Sequence, residues 1–237
     1  MDRDQLDAAI ASHTARLITT VEGLTGPEDL RAPTRCPGWS RGHVLAHLAR
    51  NADALGGVAG DVAAGRPALM YSSQTQRDAD IEAGATRPQP EALADLRDTA
   101  EAARAQLRLL GPEHDDVAVP RTPGGATFPV RRVPFMRLRE VVYHHADLEA
   151  GFDFEDVEDE LAMAFIGEEV ARLKASTPGP AFALAVTDAT GATAREWSVH
   201  GGGPLVSGGA SGLLAWLARQ DVSGVTSEAL PTLPKGG

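Results

Sequence analysis

Glu140 and His144 stand four residues apart in the run Met136-Arg-Leu-Arg-Glu-Val-Val-Tyr-His-His-Ala-Asp147, which contains neither Pro nor Gly. Leu138, Val141, Val142 and Leu148 recur there at helical spacing. That pattern predicts a helix with Glu140 and His144 on one face. A carboxylate and an imidazole on successive turns can grip one divalent cation, and the plain alternative is a salt link on a solvated face. A second predicted helix, 40–64, carries His43 and His47 beside an apolar stripe of Val44, Leu45, Leu48, Ala52, Leu55 and Val58. A histidine beside such a stripe is ordinarily a satisfied core polar group. Together the two helices point to His47, Glu140 and His144 converging on one metal, with His43, one turn earlier, as the competing ligand.

Two imidazoles and a carboxylate suit zinc in a catalytic site, and also iron, nickel or manganese. Three protein ligands leave a coordination position open, where the ion can acidify a water or a thiol or polarise a carbonyl. Structural zinc is instead usually closed by four ligands, often cysteines. Asn51, one turn past His47, and Asp147, three past His144, are within reach as further groups. Asp147 is the candidate acceptor for the outer ring nitrogen of a ligand histidine.

Four long amphipathic helices would position these residues: 3–22 (Leu6, Ile10, Leu17, Val21, with His13 packed beside them), 40–64 with Ser40 as N-cap, 90–110, and 134–148 with Pro134 in its first turn. They predict a four-helix bundle, whose core commonly houses metal ligands from facing helices. The connector 27–39 is broken by Pro33, Pro37 and Gly38 and holds Cys36, expected to be an inert buried thiol. A short polar helix, 73–83, bears Arg77, and two extended pieces, 117–119 and 127–130, flank a Pro-Gly-Gly turn. After Gly151 the pattern changes. One helix over 154–175, strands at 181–187, 195–200 and 204–207, a helix over 210–219 and a last short strand at 224–226 follow. The fold class is therefore α+β in two domains, 1–150 a bundle and 151–237 a small α+β domain, with 231–237 a loose tail. The run Gly208-Gly-Ala-Ser-Gly212 fits neither the Walker nor the dinucleotide spacing and reads as a strand-to-helix turn.

Composition narrows the function. Lys and Arg total 22 against 33 Asp and Glu, a formal net charge of −11, so the basic face that nucleic acid needs is missing. A single cysteine excludes an internal disulfide and a cysteine-rich zinc site. No apolar run approaches the ~20 residues of a membrane span. The opening Met-Asp-Arg-Asp-Gln lacks the basic-then-apolar pattern of a secretory signal. The expectation is a soluble, cytoplasmic protein without a membrane or nucleic-acid partner, and no apolar stripe marks a dimer face.

The stretch from Cys36-Pro-Gly-Trp-Ser-Arg-Gly-His-Val-Leu-Ala to His47, then Met70-Tyr71, Arg77, Ile81 and Gly84, then Met136 to Asp147, resembles the mycothiol-dependent maleylpyruvate isomerase family. The N-terminal domain of that family belongs to the DinB-like metal-binding four-helix bundles. The resemblance covers nearly the whole chain, the bundle more strongly than the C-terminal domain. It implies zinc held by His47, Glu140 and His144, selecting His47 over His43, and mycothiol as thiol cofactor. It also implies a role for a C-terminal arginine, to which Arg219 is nearest. A dicarboxylate substrate needs a cationic partner, for which Arg77 and Arg219 are the candidates. The implied reaction is addition of the metal-activated thiolate to maleylpyruvate, rotation, and elimination to fumarylpyruvate. A mycothiol S-transferase needs the same thiolate at the same metal. A hydrolase using metal-bound hydroxide, and a non-catalytic metal-binding or regulatory module, are the other readings.

Overall fold

The computed structural model describes residues 1–26 and 28–234, and the chain divides into two compact units, Met1–Gly151 and Phe152–Gly237. The first unit contains α1 (Arg3–Glu22), α2 (Arg41–Ala63), α3 (Gln74–Ala85), α4 (Gln89–Leu107) and α5 (Val133–Asp147). α1 packs on α4 and α5, and α2 packs on the same two helices, which closes a four-helix bundle; α3 lies against α2. Each of the four bundle helices turns one apolar stripe inward. Leu17 and Val21 of α1, Val44, Leu45 and Leu48 of α2, Leu96 of α4 and Val141 of α5 meet in one buried cluster. Between α4 and α5, β1 (Ala118–Pro120) and β2 (Thr127–Pro129) pair as an antiparallel hairpin.

Local chemistry sets the helix starts. The Asp2 side chain accepts from the Gln5 amide while the Gln5 side chain takes the Asp2 amide, and Ser73 accepts from the Gln76 amide. Asp7 ties α1 to α4 through Arg104 and Arg108, and the Arg104 bond, with Arg108 behind it, holds its carboxyl down at about 2 against the cost of burial.

Glycines set how closely α3 approaches α2. A Cβ on Gly42 would lie 2.2 Å from the Ala85 carbonyl oxygen, and one on Gly84 would lie 2.7 Å from the Ala46 Cβ. The approach matters because α3 carries Arg77.

The second unit holds α6 (Asp159–Ala175), β3 (Phe182–Thr187), β4 (Thr193–Val199), β5 (Leu205–Gly208), α7 (Ala210–Arg219) and β6 (Val225–Thr226). The sheet order is β4-β3-β5-β6, parallel between β3 and β5 and antiparallel elsewhere. α6 packs on α7, and Phe182 meets Trp216 edge-on at 5.5 Å. The helix expected over 154–175 is interrupted. A 3-10 turn, Phe154–Asp156, ends at Val157 in extended backbone (φ −84°, ψ 130°). Asp156 Oδ2 accepts from the Asp153 amide and Asp153 Oδ1 from the Phe154 amide, and a new start follows with Asp159 and Glu160 favourably placed in the first turn of α6. A Cβ on Gly212 would lie 2.4 Å from the Gly224 carbonyl oxygen, so this glycine lets backbone meet backbone behind the strand-to-helix turn. The expected loose tail is anchored as far as it is described: Leu233 is buried, and residues 235–237 lie outside the described residues. Among the described residues no helix is long and apolar enough to cross a membrane.

Gly42→Ala should lower stability by about 1–3 kcal/mol, since backbone must move to admit the methyl group. Gly57→Ala, on the same helix with open space around its Cβ, should raise stability by up to about 1 kcal/mol. Urea midpoints of the two variants against the parent check both signs.

Candidate metal centre

α2 delivers His47 and α5 delivers Glu140 and His144, the last two stacked one turn apart as the spacing predicts. The Glu140 Oε2 lies 2.8 Å from His47 Nε2 and 3.4 Å from His144 Nε2. One donor atom from each residue falls within 4.8 Å of the others, and the two imidazoles meet edge to face at 4.7 Å. Donors each ~2.0–2.2 Å from one cation occupy a region of this size. The His47 side chain is 6% exposed, His144 14% and Glu140 20%, so the cluster is walled on the α2 side and keeps some access at the carboxylate.

The outer contacts suit ligation as well. His144 Nδ1 is 2.8 Å from Asp147 Oδ2, and Asp147 is fully buried. That bond turns Nε2 toward Glu140, the arrangement by which carboxylates orient metal-binding histidines. The Cys36 thiol also donates to Asp147 Oδ2, at 3.2 Å, and sits 3.8 Å from His144 Nδ1. Cys36 is therefore part of the support behind His144, a candidate ligand, where the sequence suggested an incidental thiol. Trp39, from the same connector, lays its ring 5.3 Å from His47 and 6.4 Å from His144.

The charges follow from these contacts. Burial works against ionised Glu140, but bonds to His144 and His47 outweigh it and hold the carboxyl well below its usual range. Burial also works against charged His144, yet Asp147, Cys36 and Glu140 together raise it well above its usual value. For His47 burial prevails: its pKa is lowered in spite of Glu140, with His144 and Arg77 adding to the effect. Near neutral pH these contacts favour an anionic Glu140, a charged His144 and a neutral His47.

Arg77, on α3, reaches the cluster from outside: its Nη2 lies 3.2 Å from His47 Nδ1, and its guanidinium sits 5.7 Å from the Tyr71 ring centre. Asn51 is not turned to the ligands. Its Oδ1 accepts from Arg137 Nη1 at 3.0 Å. Arg137 also donates to the Leu48 carbonyl at 2.8 Å and is 1% exposed. Sequence reasoning passed over Arg137, although Val133, Arg137, Val141 and His144 follow helical spacing and place a cation on the inward face of α5. His43 closes the start of α2, its Nδ1 accepting from the Ser40 amide at 3.2 Å, with its Nε2 3.4 Å from Glu82. It joins none of the clusters found among the described residues. His145 faces α1, 2.8 Å from the Thr20 hydroxyl, and His13 is buried. Arg219 ends α7 in the second unit, where its Nη1 donates to the Ala218 carbonyl at 2.8 Å.

Two solved structures share this architecture. They are crystal structures of the mycothiol-dependent maleylpyruvate isomerase, with TM-score 0.86, and of a histidine-to-alanine mutant of that isomerase, with TM-score 0.85. Each is 22% identical to this chain over 99% of its length and 97% of the other's, a likeness of fold. No curated protein sequence matches significantly. The family model described as the mycothiol maleylpyruvate isomerase N-terminal domain matches residues 10–149, more than half of the chain, from within α1 to just past the end of α5. The chain belongs to the mycothiol maleylpyruvate isomerase N-terminal domain family.

Proposed function

We propose that this protein is a zinc- and mycothiol-dependent isomerase that converts maleylpyruvate, or a closely similar cis-configured diacid, to its trans isomer. The observation that carries the reading is the meeting of His47, Glu140 and His144 around one small volume, on a chain of the maleylpyruvate isomerase family. Residues 1–150 are the metal-binding domain in this reading and 151–237 the accompanying α+β domain, acting in the cytoplasm. A divalent ion on these three residues supplies Lewis acidity that keeps a thiol ionised near neutral pH, the form that adds to an activated double bond.

The chain's own groups prepare the site. Asp147 fixes the His144 ring so that Nε2 is presented inward. Glu140 contributes the one negative charge among the ligands and stays ionised because both histidines hold it so. Trp39 lies close to both imidazoles and gives them an apolar neighbour on that side. Arg77, beside His47, is assigned to a carboxylate of an anionic substrate, as its fork of donors suits, and Arg219 is the proposed counterpart of the C-terminal arginine that the family resemblance implies.

Metal-stripped protein given zinc, mycothiol and maleylpyruvate should form fumarylpyruvate with the thiol unconsumed. An accumulating thioether would identify an S-transferase, and turnover without thiol would identify a hydrolase; either result overturns the isomerase reading. His144→Ala should weaken zinc binding by about 100-fold or more, whereas His43→Ala should leave zinc content unchanged; metal analysis of the two purified variants separates them.

Zinc binding should also depend on pH in a defined direction. His144 holds its proton well above the ordinary 6.5, while Glu140 is ionised and His47 neutral there. One proton must therefore leave His144 for each ion bound, and affinity rises with pH by about tenfold per unit from about 6.5 upward. It levels off once pH passes the raised value. Competition with a chelator across that range measures the slope.

A further inference from the structure

Tyr71 links the candidate metal centre to a second cation. The residue is buried, and its hydroxyl is bonded to Arg77 and Asn51. The Arg77 side chain is itself only 13% exposed, so the guanidinium beside His47 is firmly held. It lies 5.7 Å from the Tyr71 ring centre, and the Arg121 guanidinium lies 5.7 Å from the same centre. Backbone bonds fix this arrangement. Met70 N–H donates to the Pro120 carbonyl at 3.2 Å, Tyr71 N–H to the Arg121 carbonyl at 2.9 Å, and Arg121 N–H to the Ala126 carbonyl at 2.9 Å. The loop after α2 is thereby laid along the hairpin, with Arg121 beside Tyr71.

Two guanidiniums that share one ring stand no more than twice that distance apart, and they repel each other. The ring face offsets part of that repulsion, and Arg77 also has the Asp78 carboxylate. Arg121 is exposed, and no carboxylate pairs with it among the described residues. Arg66 and Arg131, before and after it in the chain, hold Asp61 and Asp116. In a chain with 33 Asp and Glu against 22 Lys and Arg, a cation without an acid has its donors open to an anion from outside.

We propose that Arg121 receives the second carboxylate of a diacid whose first carboxylate meets Arg77, and so selects diacids over monoacids. The inference rests on the isomerase reading above and adds one contact to it. The paired N–H donors of a guanidinium match both oxygens of a carboxylate. Two such forks, spaced by one aromatic ring, call for an anionic group at each end of the ligand. Arg121 has no contact with the three candidate ligands among the described residues. The carboxylate it takes is therefore the one remote from the reacting double bond, and its contribution is to binding.

Zinc-loaded full-length protein with mycothiol tests the assignment. Arg121→Met should raise KM for maleylpyruvate about tenfold or more, the loss expected for a hydrogen-bonded charge. It should leave kcat within about twofold of the parent, since the contact serves binding alone. Arg121→Lys keeps the charge and should recover part of the loss. Arg66→Met makes the same change of charge at an arginine already held by Asp61 and should match the parent. Calorimetry without thiol reads the contact directly. The parent should bind pimelate, a saturated diacid of the same chain length as maleylpyruvate, about tenfold more tightly than heptanoate, its monoacid, and Arg121→Met should lose that preference. An unchanged KM, a loss confined to kcat, or a diacid preference that survives Arg121→Met overturns the role of Arg121 and leaves the isomerase reading standing. A parent that does not isomerise maleylpyruvate overturns the isomerase reading, and the comparison of the two acids still decides whether Arg121 binds a diacid.

Discussion

A carboxylate drawn into a protein must be met by positive charge and by donors, and Glu140 is where this chain concentrates that requirement. Both histidines hold it from the site side. Arg137, one turn earlier on α5, faces it from within the bundle and is the most deeply buried cation described, with a pKa pushed down to about 10 chiefly by burial. It stays charged near neutral pH because Glu140, Tyr71 and Asp53 offset part of that cost. Removing one member of such an arrangement commonly costs about 3–5 kcal/mol, since the other is left buried and unmatched. Arg137 spends its donors on the Leu48 carbonyl and Asn51, both on α2 beside His47. The cation that balances Glu140 is thus also the tie that fixes α5 against α2.

How far the site was legible depends on the range of each contact. The relation of Glu140 to His144 follows from helical spacing alone, and the bundle follows from four apolar stripes of matching length. His47 joins them only across 93 residues of chain, and helical periodicity left it level with His43 until the family resemblance chose between them. What distinguishes the two in the structure is local: His43 is consumed by closing the start of α2 on Ser40. The bonds of Cys36 to Asp147 and of Arg77 to His47 span 111 and 30 residues. No periodic signal carries them. The break at Val157 was missed for a different reason. Phe154, Val157 and Leu161 keep a spacing that a single helix would also give, and the deciding bonds are side chain to backbone within Asp153–Asp156.

The connector before α2 shows how an irregular segment can hold functional groups in place. Its backbone is pinned at both ends and in the middle: Arg35 N–H donates to the Asp147 carbonyl at 3.1 Å, Arg41 N–H to Ala32 at 3.0 Å, and the Thr34 hydroxyl to the Trp39 carbonyl at 2.9 Å. Gly38 supplies the positive φ of +83° that lets the chain turn into Trp39 and Ser40. The prolines and glycine that exclude a helix here are therefore compatible with a rigid presentation of Cys36 and Trp39 to His144 and His47.

The three candidate ligands are flanked by the core. Leu48 follows His47 and Val141 follows Glu140, both fully buried in the cluster that joins the helices. Small shifts of α2 against α5 would therefore disturb apolar packing and ligand geometry together. The three side chains already hold one another without an ion, through the shared Oε2 of Glu140. An ion bound there, as proposed, would exchange existing hydrogen bonds for coordination, whereas in a zinc finger it creates order that was absent. Metal binding still favours the folded state by mass action, by about 2.7 kcal/mol at a hundredfold excess over the dissociation constant. The fold itself rests on the apolar core, so a centre of the proposed kind would be free to trade affinity for an open coordination position.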